Sequence, residues 1–335
     1  MHPTSPARPS RFLTRRNFLL ASVGTATSTY FAACSSADHG SPSNSLPQHY
    51  WGCFLPGSVL SSAGSAKAID QLAQLAGTKP NIVHVFVSMN DQLPVATLDV
   101  VQRVAATPLL TLEPWNPYAG QTQSEFAPRR VAAGQHDAAL HRWAGQLSSW
   151  KHPVLLRFAQ EMNGSWYPWS VGVSGNSAAE YRAAWQRMYA IISSAASNVS
   201  FVWAPNAITE GTTDFTNCFP GHEFVDYLGL DGYNWGTIPG HQWQSADKLF
   251  SHSVAALDRL TPNLPILVTE VGCAEGNQPG LKAQWIREFF TVIETSERVS
   301  GFVWFQMDKE RDWRFNSSSA STAAFRESLS QWTHR

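Results

Sequence analysis

The chain has 335 residues, 43% of them hydrophobic, enough for one large core or two modest ones. Lys and Arg number 24 against 25 Asp and Glu, and with no basic run or basic–aromatic interleaving a nucleic-acid partner has no support. Tryptophan is in surplus at 14 residues; such rings fill cores, but they also suit flat apolar faces such as those of sugar rings.

Residues 1–34 read as an export segment. Arg8, Arg11, Arg15 and Arg16 form a basic head, and a mainly apolar or small-residue run follows from Phe18 to Ala33. Thr14-Arg15-Arg16-Asn17-Phe18-Leu19-Leu20 resembles a twin-arginine signal. Phe31-Ala32-Ala33-Cys34 resembles a bacterial lipobox, with Phe where Leu is commoner. The motif predicts lipidation at Cys34 and attachment of an exported protein to a membrane through that anchor. An ordinary membrane helix fits less well, because the run is short, contains Gly, Ser and Thr, and ends at Cys. Residues 35–48, rich in Ser, Pro and Gly, read as a flexible tether. Residues 1–34 hold four Arg and no acid, so the remainder carries 20 basic against 25 acidic groups, a net charge of −5. Cys53, Cys218 and Cys273 lack metal-ligand spacing. One disulfide plus one free thiol is compatible with export, with the pair left open.

From residue 49 to 335 a short apolar run, a polar residue at its end and a helix-like stretch repeat. The runs are Tyr50–Leu55, Ile82–Met89, Pro108–Trp115, Pro153–Glu161, Val199–Asn206, Tyr227–Asn234, Pro265–Gly272 and Val299–Gln306. Continuous apolar character suits strands buried on both faces, as in parallel sheets. Between them, Ser177-Ala-Ala-Glu180 fits a capping box. Tyr181, Ala184, Trp185, Met188, Ile191 and Ile192 then recur at helical spacing on one face. Ser65–Ala76 and Leu281–Ile293 share that rhythm. Eight such units predict an α/β fold, a single (β/α)8 TIM barrel without a second domain. A doubly wound sheet is the weaker alternative, since no Gly-rich phosphate loop follows any strand.

In such a barrel the C-terminal strand ends converge on the face where chemistry sits. Those ends carry Glu113 with Trp115, Glu161, Asn206, Tyr233 with Asn234 and Trp235, Glu270, and Trp304. There is no HExxH, Cys/His cluster, Walker loop or G-x-S-x-G, so the inventory favours sugar chemistry over proteolysis, phosphoryl transfer or metal catalysis. Two carboxyl groups flanking one bond are what glycoside cleavage requires, and Glu161 and Glu270 close the fourth and seventh strands.

Several segments then resemble one family in order from about residue 80 to residue 316. Arg157-Phe-Ala-Gln-Glu161-Met-Asn-Gly-Ser-Trp-Tyr-Pro-Trp169 resembles the acid/base segment of glycoside hydrolase family 26, the family of many β-mannanases. Phe201-Val-Trp-Ala-Pro-Asn206 and Leu230-Asp-Gly-Tyr-Asn-Trp235 are similar to its fifth and sixth strands. Pro265-Ile-Leu-Val-Thr-Glu270-Val-Gly is similar to its nucleophile strand. Val303-Trp-Phe305, followed by Asp312-Trp-Arg314, resembles the closing segment. The resemblance implies a retaining mechanism, with Glu161 as general acid/base and Glu270 as the nucleophile that forms a glycosyl-enzyme intermediate. Tyr233 is placed to donate a hydrogen bond to Glu270. Trp166 and Trp304 are candidates to stack on the sugar, with core packing as the alternative. Asn163 is a candidate for a sugar hydroxyl, with a turn-forming role before Gly164 as the alternative. Trp115, Glu113, Gln160 and Trp235 complete the expected substrate-binding set. Arg157 is expected to orient Glu113 or Glu161 through an ion pair.

One departure stands out: the family usually has His immediately before the acid/base glutamate, and here that residue is Gln160, which can replace a hydrogen bond but not a positive charge. The expected function is retaining, endo-acting hydrolysis of β-1,4-mannan or a related β-linked polysaccharide. A β-1,3/1,4-glucanase or xylanase on the same scaffold is the alternative, and a non-catalytic carbohydrate-binding lipoprotein is a third reading. Neither metal nor organic cofactor is expected, and a monomer is.

Overall fold

The computed structural model describes residues 49–60 and 64–334, so the export motif with Cys34 and the tether lie outside the described residues. Eight strands close into one parallel barrel in chain order: β1 (Tyr50–Phe54), β2 (Ile82–Ser88), β3 (Thr107–Glu113), β4 (Val154–Phe158), β5 (Val199–Trp203), β6 (Tyr227–Asn234), β7 (Ile266–Cys273) and β8 (Val299–Phe305). Pairing of β1 with β8, from Tyr50 opposite Gly301 to Phe54 opposite Phe305, closes the ring. The helices are α1 (Gly57–Leu60), α2 (Ser65–Ala76), α3 (Val95–Arg103), α4 (Pro128–Ala132), α5 (Asp137–Trp150), α6 (Ala178–Ser193), α7 (Ala246–Leu260), α8 (Leu281–Ile293) and α9 (Ser319–Thr333). The expected (β/α)8 barrel is therefore the fold. The eight apolar runs are its strands, with β4 and β5 stopping at Phe158 and Trp203, short of Glu161 and Asn206.

The strands are apolar on both faces because each face is buried for a different reason. Inside, Tyr50, Ile82, Leu109, Leu155, Val202, Leu267 and Val303 form one closed cluster drawn from seven strands. Two positions further along, β2, β3, β4 and β7 carry His84, Thr111, Arg157 and Thr269, so this apolar layer plugs the barrel beneath the polar strand ends. Gly301 is required there, since a Cβ would lie 2.5 Å from the Tyr50 carbonyl oxygen and 2.6 Å from its ring. Outside, the alternate side chains meet the helices in the main core, which includes Trp51, Trp185, Trp285, Phe289 and Phe325. α6 follows the expected local rules. The Ser177 side chain accepts from the Glu180 N–H, the Glu180 side chain accepts from the Ser177 N–H, and the six apolar residues at helical spacing are the buried ones. Cys53, Cys218 and Cys273 are all buried and free, so no disulfide joins any pair.

The connection from β8 to α9 is held from below by a buried cation. Lys282 of α8 donates from Nζ to the carbonyls of Asp312 (3.0 Å) and Arg314 (2.7 Å) and to Ser317 Oγ (2.8 Å). Burial pulls its pKa from 10.5 down to about 8, against the opposing pull of Cys273, Glu275 and Asp312. The folded protein thus releases this proton before the unfolded chain does. Between pH 8 and 10.5 the unfolded state binds more protons, so this group's contribution to stability rises with pH there. Urea unfolding of the wild type and Lys282→Met at pH 7 and pH 10 should show the difference between them moving in favour of the wild type at the higher pH, by up to about 3 kcal/mol. A pH-independent difference would show that folding does not lower the pKa of this lysine.

Candidate active site

Glu270 reaches the barrel interior through a bulge. Along β7, Leu230 of β6 pairs with Val268 and the next residue, Asp231, pairs with Glu270, so Thr269 is skipped. On the other side, β8 pairs Phe302 with Val268 and Trp304 with Val271. The extra residue lets two consecutive side chains face inward. Thr269 Oγ1 donates to Asp231 Oδ1 at 2.5 Å; Glu270 Oε1 accepts from Arg157 Nη2, and its Oε2 accepts from the Tyr233 hydroxyl. Strict alternation from Leu267 would have turned Glu270 into the helix layer.

Arg157 of β4 is fully buried at the centre of this group. Its Nη1 donates to Asp231 Oδ2 at 2.6 Å and its Nε to Thr111 Oγ1 at 2.8 Å, and Nη2 lies 3.2 Å from His84 Nε2. Thr111 Oγ1 is 2.7 Å from the same His84 nitrogen. A guanidinium can only donate, so His84 Nε2 accepts in this network. The Phe86 ring covers the guanidinium at 5.5 Å. Burial pushes the Arg157 pKa down, but the charges of Asp231 and Glu270, the hydrogen bond to Glu270 and the charge of Glu161 outweigh it and hold the group protonated. Asp231 is pushed well above the usual carboxylate range by burial, with Arg157 opposing and Glu270 and Glu161 adding to the rise. Arg157 therefore does not pair with Glu113 or Glu161, as its place in the strand had suggested; its two ion-pair partners are Asp231 and Glu270.

Glu161 is presented differently. β4 ends at Phe158, and Ala159 (φ 45°) and Glu161 (φ 54°) both adopt the left-handed region, a strained choice for residues with a Cβ. The Glu161 N–H donates to the Ala204 carbonyl at 2.8 Å, which fixes the turn to the end of β5. Trp166 Nε1 donates to Glu161 Oε2 and Asn206 Nδ2 to Oε1, each at 2.7 Å. Trp166 can fold back in this way because residue 164 is glycine; a Cβ there would lie 2.5 Å from the indole. Beside it, Gln160 Nε2 donates to Glu113 Oε1 at 2.7 Å, and Trp115 Nε1 to Glu113 Oε2 at 3.2 Å. Gln160 Oε1 is buried without a protein partner.

The expected site residues therefore separate. Glu161 with Trp166, Glu270 with Tyr233, and Glu113 with Gln160 form three hydrogen-bonded pairs at the strand ends. Trp235 is half-buried at the rim, stacked on His241 at 4.7 Å and edge-on to Trp313 at 4.9 Å. Three expectations are corrected. Trp304 is 0% exposed and points away from the barrel axis into Phe325, Phe289 and Trp285, with Nε1 on the Trp313 carbonyl. Its inward neighbours on β8 are Val303 and Phe305. Asn163 uses its whole amide to join two loops. Nδ2 donates to the carbonyls of Asn206 and Thr213, and Oδ1 accepts the Asn206 N–H, so it is no sugar ligand. Trp115 is buried edge-on against Tyr167 and Trp169 and braces Glu113 from behind. Sequence reasoning missed His84, Thr111, Asp231, Thr269 and Trp313. A signal existed for His84 and Asp231, each a single polar residue in phase with inward positions of an apolar strand. Trp313 packs on Tyr233 at 4.9 Å from a loop that no periodicity describes.

A closed parallel barrel that gathers the buried glutamates Glu113, Glu161 and Glu270 with aromatic rings at its strand ends has the groups that glycoside cleavage requires. The chain belongs to glycosyl hydrolase family 26, whose family model matches residues 130–329. It is 36% identical over 284 residues to "Endoglucanase H" of Acetivibrio thermocellus, a match covering 82% of this chain and 30% of that protein. It is 30% identical over 132 residues to a mannan endo-1,4-β-mannosidase of Bacillus subtilis (strain 168), covering 37% of this chain and 32% of the relative. The chain thus spans about a third of the length of each of these curated relatives. Among solved structures, the catalytic domain of the Bacillus sp. JAMB-750 family 26 endo-β-1,4-mannanase superposes with a TM-score of 0.65 at 18% identity, covering 84% of this chain and 86% of the other. That likeness concerns the fold.

Replacing Arg157 with Met leaves Asp231 and Glu270 buried beside each other without their cation. Breaking such a cluster costs about 3–5 kcal/mol, to be read from urea unfolding at pH 7. Asp231 already lies above the unfolded value, and removing Arg157 removes the charge that opposes this, so its carboxyl rises further. The loss should therefore be largest at neutral pH and shrink towards pH 5, as the folded state takes up protons. A loss that does not change with pH would mean the cluster already holds its carboxyls neutral in the wild type.

Proposed function

We propose that this family 26 glycoside hydrolase is a retaining, endo-acting enzyme that cleaves a β-1,4-linked polysaccharide, with Glu161 as general acid/base and Glu270 as nucleophile. The observation that carries the proposal is the unequal treatment of the two carboxyls. Glu270 is bonded to a guanidinium and a phenol, partners that favour the ionised form and aim it. Glu161 accepts from a neutral indole and a neutral amide, partners that orient the carboxyl without adding a positive charge.

In the first step the Glu161 proton passes to the glycosidic oxygen. The bond from that oxygen to the anomeric carbon breaks, and a Glu270 oxygen bonds to that carbon. In the second, Glu161 takes a proton from water, the water oxygen bonds to the anomeric carbon, and Glu270 leaves as carboxylate. Tyr233 and Arg157 stay on Glu270 throughout and stabilise it as the leaving carboxylate. Endo action is supported by the names of the relatives, an endoglucanase and an endo-mannosidase. Of their two substrate classes we place β-glucan first and β-mannan second. The Endoglucanase H match runs over 82% of the chain against 37% for the mannosidase. Gln160 also puts a neutral amide where the family, with its many mannanases, usually has His.

The test incubates the full chain with mixed-linkage β-glucan, glucomannan, mannan and xylan. Oligosaccharide products that disappear in Glu270→Ala would support the proposal, and products that persist would overturn the nucleophile's assignment. Glu161→Ala should lower the rate on polymer roughly 10²–10⁴-fold while sparing an aryl glycoside whose leaving group needs no proton. A 2-deoxy-2-fluoro glycosyl probe should add its mass to the Glu270 peptide; initial products of inverted anomeric configuration, seen by NMR, would exclude retention.

We further propose export and lipid anchoring at Cys34, supported by the arginine pair, the small-residue run and the Phe-Ala-Ala-Cys sequence. In a bacterial host the wild type should incorporate labelled fatty acid and partition into detergent, and Cys34→Ala should do neither. Labelling of Cys34→Ala equal to wild type would place the anchor elsewhere.

A further inference from the structure

Among the described residues three large apolar side chains are exposed, namely Leu75, Val95 and Tyr118. Tyr118 is the most exposed, at 61%, and the one aromatic of the three. Leu75 lies in α2 and Val95 opens α3, on the helical exterior. Tyr118 sits on the connection that leaves the C-terminal end of β3 directly after Glu113, on the face that carries Glu161 and Glu270.

This loop is held in shape by its own polar side chains. The Tyr118 N–H donates to Asn116 Oδ1 at 3.0 Å and the Ala119 N–H to the Asn116 carbonyl at 3.1 Å. Gln123 accepts the Asn116 N–H at 2.8 Å and returns its amide to the Asn116 carbonyl at 2.8 Å and to the Gly120 carbonyl. A second tie runs to the acid/base loop, where Gln121 Nε2 donates to the Ser165 carbonyl. Ser165 adjoins Trp166, the indole that holds Glu161. The exposed ring is thus carried on a shaped loop that is bonded to the loop of a catalytic carboxyl.

We propose that Tyr118 is a distal sugar-binding subsite: its ring face takes one pyranose of a bound β-linked glycan, away from the bond cleaved between Glu161 and Glu270. The chemistry fits in two ways. A pyranose offers a face of C–H groups that covers an aromatic ring. A loop already shaped before binding loses little conformational freedom when the sugar arrives. The proposal rests on the polysaccharide reading above and adds the length of chain the enzyme grips.

The test runs the full chain, Tyr118→Ala and Tyr118→Phe through native gels containing each of the four polysaccharides, and measures hydrolysis of the polymer and of an aryl disaccharide in parallel. On the polymer that retards the wild type, Tyr118→Ala should bind roughly three- to tenfold more weakly and show a similar rise in KM with kcat unchanged. Tyr118→Phe should keep most of the retardation, and the aryl disaccharide, too short to reach the loop, should be cleaved equally by all three. Equal retardation of Tyr118→Ala and wild type overturns the subsite, as does a wild type that no polysaccharide retards. Retardation that depends on Tyr118 without any hydrolysis would support the subsite and count against the catalytic reading alone.

Discussion

One guanidinium is the constraint on which the working end of this barrel depends. Arg157 is fully buried and is bonded to Asp231, Glu270 and Thr111, with His84 and the Phe86 ring around it. Bringing two carboxylates and a cation out of water costs several kcal/mol per ion, and the cost is recovered only where the geometry satisfies nearly every donor and acceptor. That requirement reaches into the strands. β7 must bulge so that both Thr269 and Glu270 face inward, β6 must present Asp231, and the apolar plug of seven side chains must seal the opposite end. The polar layer is thereby confined to one end of the barrel, beneath the loops.

The two glutamates reach that layer by different means, and the difference has chemical consequences. Glu270 belongs to a strand and is bonded to a fixed cation. Glu161 lies beyond the end of β4 on a turn with two left-handed residues. Each such residue costs on the order of 1 kcal/mol or more unless its surroundings enforce it. Here the Ala204 carbonyl, the Trp166 indole and the Asn206 amide supply the enforcement. Asn163 ties the same turn to the loop after β5, using both ends of its amide. Loops thus hold the acid/base candidate through neutral groups, while the sheet holds the nucleophile candidate through charge.

The aromatic residues show where pattern reading succeeds and where it fails. Tyr233 could be placed from its position at the end of β6, and its hydroxyl is on Glu270. Trp304 had the same kind of position on β8 but the opposite parity. Val303 and Phe305 face inward, so the tryptophan falls among the helices. The ring that packs on Tyr233 is Trp313 instead, delivered by a loop that Lys282 fastens from beneath through the carbonyls on either side of it. Trp115 at the end of β3 likewise braces Glu113 from within the core.

The sequence by itself determined the eight-unit barrel and brought forward Glu161 and Glu270 as the candidate pair at its strand ends. The physical reason is that apolar runs of strand length, helical spacing and polar strand ends are local properties of the chain. Tertiary structure alone decided which way the strand-end side chains point and what each carboxyl touches. The bulge at Thr269 reverses the parity of β7, and Arg157 finds partners 74 and 113 residues away. Trp313 and Gln121 act across loops whose shapes come from hydrogen bonds to other segments. Such contacts depend on closure of the ring, and closure joins residues that no local pattern connects.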